Sequence, residues 1–197
     1  MKSPAFIFGK CSLMIVLLTA AFLTACSDKV DESDIYTFKG ETITSYLEKS
    51  ENFTDFAYIL SRVKLSKRSE STIAQLLSAR GNYTVFAPTN DAVQHYLDSV
   101  YQTTDYDITQ IPDSVADYIA RNAIIDCEDL NAYQTTDFNV GTLERTNMDD
   151  RYITVDFDTI NGGNLATIIN NSARIVLPDI EVYNGYIHGV NQVLSLS

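Results

Sequence analysis

Histidine is nearly missing from this chain: His95 and His188 are its only two, about ninety residues apart. No His-Glu-x-x-His pair, nucleophile elbow, phosphate loop or Cys-x-x-Cys spacing occurs, so the common hydrolase, nucleotide and metal signatures are excluded. Tryptophan is absent, which removes the strongest platform for stacking on sugar rings, although twelve Tyr and nine Phe remain. Cysteine is scarce as well. Cys11 lies in an N-terminal apolar stretch, so Cys26 and Cys127 are the only later thiols and no disulfide framework is available. Basic side chains number 14 against 26 acidic ones, a formal charge of -12. Such a surface repels nucleic acid and anionic headgroups, which excludes nucleic acid as a partner. The longest apolar run, Ser12 to Ala25, is too short to span a bilayer comfortably.

What is present begins with that run. Lys2 and Lys10 precede it, which is the layout of a secretory leader. Leu23-Thr-Ala-Cys26 then resembles the lipobox of bacterial lipoproteins, and the resemblance implies acylation of Cys26 with cleavage before it; an ordinary signal peptide with a chance cysteine is the alternative. Several acyl chains anchor durably, since each buried CH2 contributes about 0.8 kcal/mol and one chain alone is marginal. Ser27 to Asp34 is polar and acid-rich and reads as a tether. The expected organisation is therefore a lipoprotein signal peptide over 1–25, a flexible tether over 26–40 and a single domain over 41–197. Ser27 after Cys26 looks like an outer-membrane sorting choice, and the acids beyond it resemble surface-export signals, the alternative being that any soluble tether is acidic. The expected location is thus the outer membrane, lipid-anchored, facing the surface or the periplasm.

The domain is organised around Asn82 to Val93. Tyr83 and Val85 alternate with Thr84 and Phe86 on a strand, Pro88 ends it, Thr89 or Asn90 caps a helix, and Asp91 sits in the first turn. Ala92, Val93, Tyr96, Leu97 and Val100 supply the buried stripe of that helix. Upstream, Thr42 to Lys49 reads as a short helix, and Phe53, Phe56, Ala57, Leu60 and Val63 mark a second. Ile73, Leu76 and Leu77 mark a third, which Gly81 can terminate. Pro112 and Asp113 open another, with Val115, Tyr118 and Ile119. The last third reads as strands at 138–143, 152–157, 166–170, 174–177 and 186–196, with turns at Asn161-Gly162 and Asn184-Gly185. Helices followed by antiparallel strands make an α+β pattern.

The segment Thr84-Val-Phe-Ala-Pro-Thr-Asn90, followed by an acid, Ala and Val93, resembles the first signature of the fasciclin domain family. Asn184-Gly-Tyr-Ile-His188 and the Val-rich stretch after it resemble the second. The resemblance implies a twisted β-sandwich or wedge with helices packed along one side, and a role in adhesion or matrix assembly. It marks Thr84, Val85, Phe86, Ala87, Pro88, Thr89, Asn90, Asn184, Gly185 and His188 as structural signature positions, His188 being a core residue with its hydrogen bonds met locally. Where the family often carries a Tyr-His or Asn-His pair, this chain has Arg121-Asn122-Ala123. Pro178, Asp179 and Ile180 match part of a family segment, Glu-Pro-Asp-Ile-Met, associated with integrin binding. They are the candidate partner-binding residues, against the plainer reading that Asp179 and Ile180 shape the turn into the last strands.

Other features are weaker. Asp156 and Asp158 suit one solvated strand face, and their spacing lacks the parts of a calcium loop. Cys127 reads as a packed thiol, and Lys64, Lys67 and Arg68 as a solvated basic turn between helices, with an anion site as the alternative. Asp98-Ser-Val100, Asp113-Ser-Val115 and Asp158-Thr-Ile160 resemble bacterial O-glycosylation acceptors. The expected function is a non-enzymatic envelope lipoprotein for adhesion or protein and matrix contacts, with an accessory glycan-binding lipoprotein as the alternative. No catalytic residue, metal or cofactor is expected, and the expected partner is an envelope or extracellular protein or glycan.

Overall fold

A computed structural model describes residues 40–160 and 164–195. The chain divides into two units, Met1–Thr37 and Phe38–Ser197, and every described residue belongs to the second. The leader, Cys26, the tether up to Lys39 and the Asn161-Gly162-Gly163 turn lie outside the described residues.

Three short helices open the domain: α1 (Ile43–Lys49), α2 (Thr54–Arg62) and α3 (Ile73–Ser78). Thr42 caps α1 by accepting from Ser45 N, and Thr72 caps α3 in a reciprocal box with Gln75. Gly81 does not terminate α3, which ends at Ser78 with an extended Ala79. Gly81 instead makes room for an aromatic ring, because a Cβ there would stand 2.2 Å from the Tyr83 side chain.

β1 (Tyr83–Pro88) is buried along its whole length. It lies inside the sheet, antiparallel to β2 (Ile124–Asp126) and parallel to β7 (Gly185–Val190). Its alternation is therefore split between two cores rather than between core and water. Tyr83, Val85 and Ala87, with Ile124 and Ile187, pack against the helices, whereas Phe86, with Ile125 and Val190, packs into a second core closed by Phe138, Ile153, Val155 and Ile169. Thr84 faces the second core and pairs with the Cys127 thiol at 3.6 Å.

α4 (Asn90–Tyr101) follows with Thr89 as its cap and Asp91 in its first turn. Ala92, Val93 and Leu97 are buried, but Val100 is 47% exposed. The last turn is covered on the other side, where Tyr106 stacks on Tyr101 at 4.4 Å. α5 (Asp113–Asn122) starts after Pro112 and buries Ala116, Ile119, Ala120 and Asn122.

The remaining strands are β3 (Gly141–Thr146), β4 (Tyr152–Ile160), β5 (Asn164–Ile169) and β6 (Ala173–Val182). The sheet order is β2-β1-β7-β6-β5-β4-β3. Met148 N donates to Ile124 O at 2.9 Å, and Asn147 Nδ2 to Asn122 Oδ1 at 3.1 Å, so the sheet curls until the turn after β3 meets the β2 end. β6 pairs with β5 only at Arg174 and Ala173, then follows β7 alone. That divergence, together with helices on one side, gives the α+β wedge.

Several strand boundaries differ from the periodicity. β3 begins at Gly141, because Phe138 is drawn into the second core after a 3-10 turn at Thr135–Asp137. β6 runs five residues past Leu177, two register shifts absorbing the interruption at Pro178. β7 stops at Val190, although Val193 and Leu194 remain buried beyond it. Among the described residues no helix is long and apolar enough to cross a membrane.

Candidate interaction site

The residues of the two signature-like stretches around β1 and β7 are ties between distant elements. Asn90 does not cap its own helix. Its Oδ1 accepts from Asp55 N at 3.1 Å and its Nδ2 donates to Glu51 O at 2.8 Å, so it closes the start of α2, where Phe53 offers no side-chain cap. Asn184, 1% exposed, accepts from Ile43 N at 3.0 Å and donates to Leu77 O and Ala79 O at 2.8 and 2.9 Å. One amide thus serves the start of α1 and the end of α3. Gly185 stands at φ +146, where a Cβ would lie 1.8 Å from Tyr83 O. Only glycine lets β1 and β7 approach in register there.

His188 is fully buried, stacked on Phe86 at 5.5 Å and tilted against Phe138 at 5.4 Å. Asp179 N donates to its Nδ1 at 3.2 Å, so the ring proton sits on Nε2 and is donated to Tyr133 O at 2.9 Å. Burial pushes its pKa down, and it outweighs the opposite pull of the Tyr133 carbonyl and of the Asp179 carboxylate 3.8 Å away. The ring is neutral, with both nitrogens engaged.

Asp179 and its neighbours are not a turn into the last strands; they interrupt β6 itself. Asp179 has φ 53, its Oδ1 accepts from Thr135 N at 2.7 Å, and its Oδ2 accepts from the Thr135 hydroxyl. Pro178 is exposed on the strand, while Ile180 leans toward the helical core. The segment is thus a fixed projection, clamped by the loop before β3. Beside that loop lies an open hollow of about 550 Å³, lined among others by Gln134, Asp137, Glu144, Tyr133 and Tyr186. Burial raises the Tyr186 pKa, and the charges of Glu181, Asp179 and Asp137 push it the same way. The Tyr186 phenol, side-chain amides and an acidic wall suit hydrogen bonding to a partner, whereas the Tyr133 hydroxyl is buried away from it; no nucleophile stands beside a base among the lining residues.

Compared with known families, residues 51–196 match the fasciclin domain. The chain belongs to the fasciclin domain family. Among solved structures it resembles a FAS1 domain pair from the insect cell adhesion molecule fasciclin I, at a TM-score of 0.54 and 18% identity, over 78% of this chain and 50% of that one. The chain therefore spans about half the length of that structure, and the likeness is one of fold. No curated protein sequence matches.

Elsewhere in this fasciclin domain the other singled-out residues stay apart. Asp156 and Asp158 are exposed, each carboxylate accepting from the next residue's N-H at 2.8 Å. No group of three His, Cys, Asp or Glu is placed to hold a metal among the described residues. Cys127 is buried, and burial raises its thiol pKa. His95 is exposed, as are Ser99, Ser114 and Thr159 of the three acceptor-like triplets. Arg121 and Asn122 have structural work: Arg121 pairs with Asp117, and Asn122 donates to Tyr118 O while accepting from Asn147. The hollow escaped the sequence reading because its clamp joins Thr135 to Asp179 across 44 residues, which no local pattern signals.

Proposed function

We propose that this fasciclin domain is a non-enzymatic interaction module of the cell envelope. Acyl chains on Cys26 hold it to the outer membrane, and it engages an envelope or extracellular protein through the face bearing Pro178 to Ile180. The observation that carries this is the clamp on Asp179. It holds an exposed Pro178 rigidly beside an open hollow, so little ordering entropy remains to oppose binding. The absence of turnover is supported by His188 and Cys127, both buried and both engaged in internal bonds. A second reading, glycan binding, is favoured by Tyr133 and Tyr186 flanking Gln134 and Asp137 in the same hollow.

Two measurements test this. Cys26→Ala should move the protein from the membrane to the soluble fraction with loss of lipid mass, and full membrane retention at unchanged mass would refute the anchor. Pro178→Arg places a bulky cation on the projection. It should cut the yield of specific crosslinks on native envelopes by about tenfold or more, as expected for a residue at an interface centre, whereas Arg80→Glu should not. Equal yields for parent and Pro178→Arg would refute the assigned face.

A further inference from the structure

We propose that a separate pocket on the helical side of the domain binds the carboxylate of a sparsely charged acidic saccharide, such as a uronate-bearing oligosaccharide. The pocket, about 450 Å³, lies between the end of α2, the loop that follows it and α5. Four cations line it, Arg62, Lys64, Lys67 and Arg121, against two carboxylates, Asp113 and Asp117. Those four are drawn from only ten basic side chains among the described residues, which carry 22 acidic ones. A solvated basic turn explains Lys64 and Lys67, which are neighbours in sequence. It does not explain Arg121, which arrives from α5, 57 residues beyond Lys64, and turns to the same place.

The two arginines are fixed before any ligand arrives. Arg62 Nη1 donates to Ile111 O at 3.2 Å, its Nη2 to Asp113 Oδ1 at 2.9 Å, and its guanidinium lies 5.7 Å from the Tyr58 ring centre. Arg121 Nε donates to Asp117 Oδ1 at 2.8 Å, and its Nη2 to Lys64 O at 2.8 Å and Leu65 O at 3.2 Å. Arg121 therefore clamps the lysine-bearing loop onto α5. The arginine side chains are 30% and 18% exposed, so each retains an open edge toward the pocket. The lysines are the mobile part. Lys64 holds only an exposed pair with Glu70, an interaction worth little in water and readily exchanged, and Lys67 has no ion pair among the described residues.

The chemistry of the lining selects the ligand. Planar guanidinium groups and lysine ammonium groups together match a carboxylate. Asp113, Asp117 and Ser66 are acceptors for sugar hydroxyls. The pocket is much larger than an inorganic anion. A densely charged polyanion is disfavoured by the net charge of -12, whose repulsion reaches about 8 to 10 Å at moderate salt, whereas one carboxylate among neutral sugars meets mainly the local cations.

The test titrates the detergent-solubilised full chain by calorimetry with a uronate-terminated oligosaccharide and with the same oligosaccharide after reduction of its carboxyl to an alcohol. Inorganic sulfate and a glutamate-rich peptide are the further arms. The uronate ligand should bind at least about tenfold more tightly than its reduced form and than either other arm, a gap of about 1.4 kcal/mol. Lys64→Glu with Lys67→Glu should weaken it by about tenfold or more, whereas Arg80→Glu, an exposed charge change outside the pocket, should change it less than about threefold. Unchanged melting of the double variant keeps the result interpretable. The proposal is overturned by no binding, by equal binding of the reduced sugar, sulfate or peptide, or by equal losses in the pocket and Arg80 variants. The pocket shares no residue with the Pro178 face, so either assignment can fail alone.

Discussion

Replacing Asn184 with alanine should be among the most damaging changes of a few atoms available in this domain. The carboxamide is 1% exposed and makes three bonds, from Ile43 N and to the carbonyls of Leu77 and Ala79, at 2.8 to 3.0 Å. Each bond contributes about 0.5 to 1.5 kcal/mol net, and each group left buried without a partner costs about 1 to 3 kcal/mol. The two helix-end carbonyls retain some alternative partners, so the sum expected is about 3 to 5 kcal/mol. Domains of this size hold only about 5 to 15 kcal/mol in total. At about 2 to 4 °C per kcal/mol for this length, the melting temperature should fall by about 6 to 20 °C. Thermal and urea unfolding followed by circular dichroism measure it directly. Asn184→Asp provides an internal check on the donor side. Its first oxygen still accepts from Ile43 N, but its second faces two carbonyls and must carry a proton to donate. The folded-state pKa of that aspartate should therefore rise above its unfolded value of about 3.9. The ionisation penalty is then absent at pH below that value and grows as pH rises, so Asn184→Asp should compare best with the parent below about pH 4, where its single proton still serves only one of the Leu77 and Ala79 carbonyls. A melting temperature for Asn184→Ala within about 2 °C of the parent would refute the reasoning.

Gly185→Ala should prevent folding or destabilise by more than about 3 kcal/mol, because the added methyl collides with Tyr83 O at a φ that alanine rarely adopts; a soluble variant with parental near-ultraviolet dichroism would contradict this. His188, whose folded pKa lies below its ordinary 6.5, binds a proton more readily when unfolded, so its contribution is complete above pH 6.5 and declines as pH falls, by up to about 1.4 kcal/mol per pH unit until the folded pKa is reached. Urea midpoints of the parent and of His188→Gln should accordingly converge between pH 7 and pH 5, and a pH-independent gap would count against a neutral buried ring. In a chain with Cys11 and Cys26 replaced by alanine, Cys127 should react with thiol reagents only under unfolding conditions, since it is buried and its pKa is raised; rapid native labelling at pH 8 would show the second core to be open.

Much of the helical half was legible because its signals are local. Thr42, Thr72 and Thr89 are short polar residues standing before apolar stripes at helical spacing, and each caps the helix that follows it. The strand, proline and helix of Tyr83 to Leu97 needed only neighbouring residues to be recognised, and the matching segments around β1 and β7 pointed to the fasciclin fold. Other features were decided by residues that meet only in three dimensions. β2 is three residues long, too short to show a period, and exists because β1 offers it an edge. β6 continues past Pro178 because β7 beside it keeps pairing after each register shift. Thr89 and Asn90 both read as possible caps for the helix that follows; Thr89 is the cap, and Asn90 instead serves α2, about 35 residues upstream, since the unfilled N-H group there lies within its reach once the helices pack. The convergence of Arg62 and Arg121 on the Lys64 loop has the same origin. Local spacing determined which segments become helix or strand, through propensity and the need to bury one face. Tertiary packing alone determined which orphaned donors, acceptors and charges would meet, because those partners are separated by as many as 141 residues of chain.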